Sequence, residues 1–290
     1  GLEEREAANL VAESTGGEVI QRDTAWSVNT PDFGACDVYL DTKYRDEIEQ
    51  LAGDAGLKIA GAVIPVELVS EPFDPAALPL FDSLLATLRY AGAEGSRRRL
   101  AYGFGVHFNI EVAELDHAPI LRVARAYALL ERFLRAEIEL DLSRRVLPHL
   151  QTYPKELTDV LTCNVASSLE DVAELYLQRT TSRNHGLDLL PLLAHAAPET
   201  VHRYVGDGTK IAPRPAFHYR LPESRIDEPD WGIAADWRRW VLVEHVAQDA
   251  DLLATLSRSW AAWRAENASD EAWVATVRDI LAARSEQVAA

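Results

Sequence analysis

A chain of 290 residues with 48% hydrophobic content is long enough for one large core or two modest ones, and we expect a single elaborated domain over 1–290 with a helical C-terminal part, 234–290. Its 46 acidic residues against 29 basic ones give a formal charge of −17, which repels a nucleic-acid backbone and argues against nucleic acid as a partner. No apolar run approaches the roughly 18 residues of a membrane helix, the N-terminus lacks the basic and apolar blocks of a secretory signal, and two cysteines suit neither a disulfide scaffold nor a structural zinc site, so a reducing cytoplasm fits best.

In chain order, residues 1–14 read as a short helix stopped at Gly16-Gly17. Short strands follow at 18–22, 26–29 and 37–40, then a helix through Ile48 and Leu51 and a strand at 63–69. Pro72 and Pro75 lead into a helix whose Phe81, Leu84, Leu85 and Leu88 share one stripe. Arg97, Arg98 and Arg99 form the one basic run and read as a solvated loop.

The segment 102–112 alternates strictly, as a strand does. Tyr102, Phe104, Val106, Phe108, Ile110 and Val112 take one face, and Gly103, Gly105, His107, Asn109 and Glu111 take the other. A solvated face would favour Thr, Lys and Ser. Glycines in a strand mark places where a ligand or another backbone comes close, and His, Asn and Glu can bind a metal, a phosphate or a proton. The alternative is a structural histidine.

Ile120, Val123, Tyr127, Leu130 and Leu134 then recur at helical spacing, in a helix introduced by Asp116 and Pro119. Ser167-Ser-Leu-Glu170 has the capping-box pattern ahead of a helix with Val172 and Leu175. A strand at 216–221 places His218 and Arg220 on one face and Phe217, Tyr219 and Leu221 on the other, and helices occupy about 234–264 and 269 onward. Without regular strand and helix alternation, the pattern predicts an α+β fold, mostly antiparallel, with helices over one side of the sheet. The tryptophans read as helix packing.

Arg214, Arg220 and Arg225 lie within twelve residues and suit anionic oxygens, although surface ion pairing is the competing explanation in so acidic a chain. Glu67 interrupts an apolar strand and needs a cation, a hydrogen-bonding partner or an edge position, which Pro65 makes plausible. Asp37 and Asp41 are either ligands or caps. In Arg183-Asn-His-Gly-Leu-Asp-Leu, Arg183 is the candidate, whereas Asn184 and Gly186 fit plain turn chemistry. No P-loop, Rossmann glycine pattern or Gly-x-Ser-x-Gly elbow is present, and neither Cys36 nor Cys163 has an adjoining base that would make it a nucleophile.

In order, Val-Glu67-Leu-Val-Ser-Glu-Pro72, Gly-Val-His107-Phe-Asn109-Ile, Arg183-Asn-His-Gly-Leu-Asp-Leu and Phe-His218-Tyr-Arg220-Leu-Pro resemble the amidoligase family, within the carboxylate-amine ligase superfamily of glutamine synthetase and glutamate-cysteine ligase. The resemblance covers about the first 250 residues. It implies an open, funnel-like barrel of strands with helices outside, holding ATP and magnesium or manganese. The implied reaction joins a small amino acid or peptide carboxylate to an amine through an acyl phosphate. On this reading Glu67, His107 and His218 meet metal, and His107, Asn109, Arg214 and Arg225 meet the nucleotide. Arg183 and Arg220 are the catalytic arginines.

Two departures accompany it. The family's opening Gly-x-Glu-x-Glu strand has no counterpart here, and no Met occurs, so we expect the chain to begin inside a longer protein whose first strand is missing. His218 stands where the family often has Glu. An inactive nucleotide- or metabolite-binding relative is therefore the alternative, followed by a metal-dependent hydrolase built on His107, His218 and Glu67.

Overall fold

The computed structural model describes residues 1–22, 25–40, 65–96, 105–138, 151–206, 208–220 and 223–289. Among them the fold is α+β, with ten α-helices and seven strands in two antiparallel sheets. These described strands close no barrel. No described helix is long and apolar enough to cross a membrane. The chain divides into two compact units, Gly1–Val106 with Glu223–Trp237, and His107–Pro222 with Arg238–Ala290.

In the first unit, helix α1 (Glu4–Thr15) ends where Gly16 turns left-handed, at φ 70°, as the glycine pair predicts. Strands β1 (Glu18–Gln21), β2 (Trp26–Thr30), β3 (Gly34–Leu40) and β4 (Val66–Ser70) follow in that spatial order. Strand β3 begins three residues before the expected 37, because Gly34 at φ 63° and the Thr30 hydroxyl, which accepts from Phe33 N at 3.0 Å, close a tight turn after β2. Ala7, Ala8 and Val11 of α1 bury against β2 and β3. The helix expected through Ile48 and Leu51, Asp41 and the start of the strand expected at 63 lie outside the described residues.

Helix α2 (Leu78–Tyr90) follows a single 3-10 turn at Pro75–Ala77, capped by the Asp74 carboxylate, which accepts from Ala76 N at 2.8 Å. Its stripe of Leu84, Leu85 and Leu88 is buried, and Phe81 meets Phe33 and Phe73 with ring centroids 5.1 and 5.6 Å away. Arg89 then clamps the returning chain by donating to the carbonyls of Ile226, Pro229 and Trp231.

The second unit holds β5 (His107–Glu111), β6 (Leu187–Asp188) and β7 (Ala216–Arg220) in the order β5-β7-β6. Strand β5 is shorter than the expected 102–112: residues 102–104 lie outside the described ones, and Gly105 and Val106 precede the ladder. One face of this sheet is aromatic. Phe217 and Tyr219 meet Trp240 at 5.5 and 5.4 Å, and Tyr219 meets Tyr127 at 6.0 Å. Helices therefore cover that side, as the alternation predicts.

Tyr127 belongs to α3 (His117–Glu137) and Trp240 to α8 (Ile233–Gln248); the remaining described helices are α4 (Lys155–Cys163), α5 (Leu169–Leu177), α6 (Leu190–Ala196), α7 (Pro198–Val205), α9 (Ala250–Glu266) and α10 (Asp270–Ala289). The cap of α5 slips by one from the expected box: Ser168, rather than Ser167, accepts from Asp171 N, and the Asp171 carboxylate takes Ser167 N and Oγ. Trp260, Trp263 and Trp273 form one buried cluster with centroids 4.7 to 5.8 Å apart, which is packing, as expected.

Candidate functional site

The non-aromatic face of the β5-β7-β6 sheet gathers the chemistry. In the antiparallel register His107 lies across from Arg220, Asn109 from His218 and Glu111 from Ala216, while Asp188 pairs with His218 from the other side. Residues directly opposite share a face and sit about 4.5–5.5 Å apart at Cα. Pairing thus brings together side chains far apart in sequence. His107 and Asn109 are exposed, Arg220 is half-buried, and His218 and Asp188 are buried.

The His218 ring stands edge-on to His107, with centroids 5.2 Å apart. Its Nδ1 lies 2.8 Å from Asn109 Oδ1 and 3.3 Å from an Arg214 terminal nitrogen. One ring nitrogen cannot donate and accept at once. The shorter contact selects Nδ1–H donating to the amide oxygen, a tautomer assigned from the network, and leaves Nε2 as the lone-pair nitrogen. Arg214 then faces an N–H that cannot accept from it.

Desolvation, then His107 and the guanidinium groups of Arg214, Arg220 and Arg183, push the His218 pKa down to about 2. Desolvation, then Arg220 and Arg214, lower that of His107 to about 3. The His107 ring keeps open surface, so for it the field of the guanidinium groups is the firmer of the two causes. Both imidazoles are neutral near pH 7.

The arginines divide by what already occupies them. Arg183 donates from Nε to Asp188 Oδ2 at 3.1 Å, sets a terminal nitrogen 3.1 Å from the same oxygen, and donates to the Lys210 carbonyl at 2.8 Å. It is largely a strut. Arg220 donates to the Arg183 carbonyl at 2.8 Å. Arg214 is half-buried, and its Nε is buried with no hydrogen-bond partner among the described residues. Its backbone is pinned, since Arg214 N donates to Pro191 O and Ala216 N to Arg214 O.

Asp188 was not a candidate from the sequence, yet it anchors this face: besides Arg183, its Oδ1 accepts from Leu190 N at 3.0 Å, at the start of α6. Burial raises its pKa, and Arg183 opposes the rise. A lone acid inside Gly-Leu-Asp-Leu-Leu was the available signal.

Gly186 has a steric role rather than the expected turn role. Its carbonyl accepts from Arg220 N at 2.7 Å, and a Cβ there would run into the Tyr127 hydroxyl. That hydroxyl cannot yield freely, because Tyr127 is packed beside the buried Glu131, whose carboxylate takes Tyr153 N at 2.7 Å. Gly186→Ala is expected to cost about 1–3 kcal/mol of stability by overpacking. A urea midpoint equal to that of the unaltered chain would refute this.

The remaining candidates fall in the first unit. Glu67 is half-buried on β4, the last strand of its sheet among the described residues, and pairs across from Tyr39. Arg225 forms a short ion pair with Glu228, so it is engaged within its own turn. The Asp37 carboxylate accepts from the Ser27 hydroxyl at 2.7 Å. Cys36 is buried, with its thiol pushed up to about 11 by desolvation, which keeps it protonated. Leu221 and Arg97 to Arg99 lie outside the described residues.

Among the described residues no three His, Cys, Asp or Glu converge into a set that could hold a metal ion. The face offers neutral imidazoles, an amide and guanidinium groups. That donor set fits the oxygens of a phosphate or carboxylate and does not by itself fit magnesium, which takes carboxylate and water oxygens.

No curated protein and no solved structure matches the chain. A family profile described as "Putative amidoligase enzyme" matches residues 1–242, in agreement with the motif order around Glu67, His107, Arg183 and His218. With that match spanning most of its length, the chain belongs to the amidoligase family.

Proposed function

We propose that the protein is an ATP- and magnesium-dependent carboxylate-amine ligase, acting in the cytoplasm on a small amino acid or peptide. The acid's carboxylate would be activated as an acyl phosphate, and attack by an amine would release phosphate and leave the amide. The observation that carries this reading is the arginine-rich face around His107, Asn109 and His218, which can offset the repulsion between a carboxylate and a transferring phosphoryl group.

Within this reading Arg214 and Arg220 meet the anionic oxygens, and Arg183, held by Asp188, supports them. Asn109 holds His218 in one tautomer. The resemblance assigns magnesium to Glu67, His107 and His218; the described residues do not form a complete ligand set, and no step above is routed through the ion. The funnel of strands expected for the family belongs to the same proposal, as does Arg225 as a nucleotide contact.

Calorimetric titration of ATP with and without magnesium tests the reading. Magnesium-dependent binding, weakened in Glu67→Ala and in His107→Ala, is the expected result. Absence of ATP binding under both conditions would remove the ligase reading. Binding without ADP release across a panel of acids and amines would favour the inactive relative, a reading that His218 in place of the family's Glu supports.

A further inference from the structure

His185 lies between Arg183 and Asp188, is 2% exposed, and has both ring nitrogens engaged. Nδ1 stands 3.1 Å from the Gln151 carbonyl oxygen, which can only accept, so this nitrogen carries the proton and donates. Nε2 of the neutral ring then accepts from the Thr180 hydroxyl at 2.8 Å, and that hydroxyl oxygen accepts in turn from Ser182 N at 3.1 Å. Burial lowers the pKa of the ring, in keeping with a neutral imidazole.

These bonds fix a loop as well as a side chain. Gln151 N donates to the Asn184 carbonyl at 2.7 Å. The Tyr153 ring stands edge-on to the imidazole with centroids 5.1 Å apart, and its hydroxyl donates to the Leu187 carbonyl at 2.7 Å. Carbonyls on either side of His185 hold Arg220: Arg183 O accepts from its guanidinium at 2.8 Å, and Gly186 O accepts from its backbone N–H at 2.7 Å. Arg220 therefore takes both its backbone and its side-chain placement from the stretch that His185 ties to Gln151. A displacement of that stretch by about 1 Å is enough to spoil the alignment of a guanidinium with a bound group.

We propose that His185 is a positioning residue for Arg220: by holding residues 180–186 against Gln151 through a neutral imidazole, it sets where the Arg220 guanidinium stands. The proposal rests on the ligase reading only for what Arg220 then meets. Asparagine reproduces half of the ring, since its amide nitrogen reaches the place of Nδ1 and can donate to the Gln151 carbonyl, while the bond from Thr180 is lost.

The test is the 15N–1H spectrum of the arginine Nε–H groups in the full chain, with the Arg220 signal identified by its loss in Arg220→Lys. That signal is expected to move in His185→Ala and in the milder Thr180→Val, and to return towards the parent position in His185→Asn. The signals of Arg125 and Arg264, whose Nε groups donate to the Leu161 carbonyl and to Asp159, are the internal control and should stay in place. A histidine that only stabilises the fold lowers the urea midpoint and leaves the Arg220 signal where it was. An unmoved Arg220 signal in folded His185→Ala, or in Thr180→Val should His185→Ala not fold, would overturn the proposal. So would a movement of all three signals together, or a shift that His185→Asn leaves undiminished. Magnesium-dependent ATP binding is expected to weaken roughly tenfold in His185→Ala and to recover in His185→Asn, as the loss of one charge-assisted contact predicts. No ATP binding by the parent would remove the ligase reading and leave the Arg220 signal to decide the positioning, whereas ATP binding by the parent with an unmoved Arg220 signal would sink the positioning alone.

Discussion

Replacing Asp188 by alanine is expected to destabilise the protein by about 3 kcal/mol, the low end of the cost of breaking a buried ion pair. Two losses coincide at that position. The Arg183 guanidinium loses the oxygen held 3.1 Å away by both its Nε and a terminal nitrogen, and the N–H of the buried Leu190 loses its acceptor at 3.0 Å. An orphaned buried donor alone costs about 1–3 kcal/mol. The low end applies to the pair because the Arg183 side chain is 33% exposed and water recovers part of its solvation. Chemical denaturation with Arg183→Ala and the double variant completes the comparison: removing both partners should cost less than the sum of the single changes, since no guanidinium is then stranded. Strictly additive costs, or an Asp188→Ala midpoint within error of the parent, would show that the carboxylate is not the anchor described here.

Much of this site was legible as two alternating strands. The period of two in Phe-His218-Tyr-Arg220 and His107-Phe-Asn109 sorts polar from apolar side chains whatever the strands pair with, and the structure places the aromatic members against Trp240 and Tyr127 as that sorting predicts. Which polar residues meet is a different kind of information. Asn109 reaches His218 through a register spanning more than a hundred residues, and one chain's sequence does not encode that register locally. The same limit explains the arginines: Arg214, Arg220 and Arg225 look alike by spacing, but Arg225 is paired with Glu228 three residues away, whereas the Arg214 Nε meets no acceptor among the described residues. Gly186 was misread because turns are glycine's commonest use, while its reason here is a tyrosine hydroxyl on a distant helix. The slip of the α5 cap from Ser167 to Ser168 is local ambiguity, since two adjacent serines each precede an acid by three residues.

Lowering the pH from 7.5 to 5 is expected to remove about 2 kcal/mol of stability through His218 alone. The imidazole is buried among guanidinium groups and its pKa falls to about 2, against about 6.5 in the unfolded chain. A depressed folded-state pKa means that the unfolded state binds the proton first. The contribution is therefore complete above pH 6.5 and is lost as the pH falls towards 2. His107 acts in the same direction, with a smaller effect because its ring is exposed. Asp188 and Glu131 act oppositely: burial raises their pKa values, so their contribution is present at low pH and is lost as the pH rises through those raised values. A pH profile of the parent alone mixes these opposing terms, so the decisive quantity is the difference from His218→Gln, which lacks the imidazole and keeps the carboxylates. The parent should lose about 2 kcal/mol more than His218→Gln between pH 7.5 and 5 in urea unfolding. Parallel profiles would mean that His218 takes up its proton in the folded state as readily as in the unfolded one, which the guanidinium groups of Arg214, Arg220 and Arg183 around it should prevent.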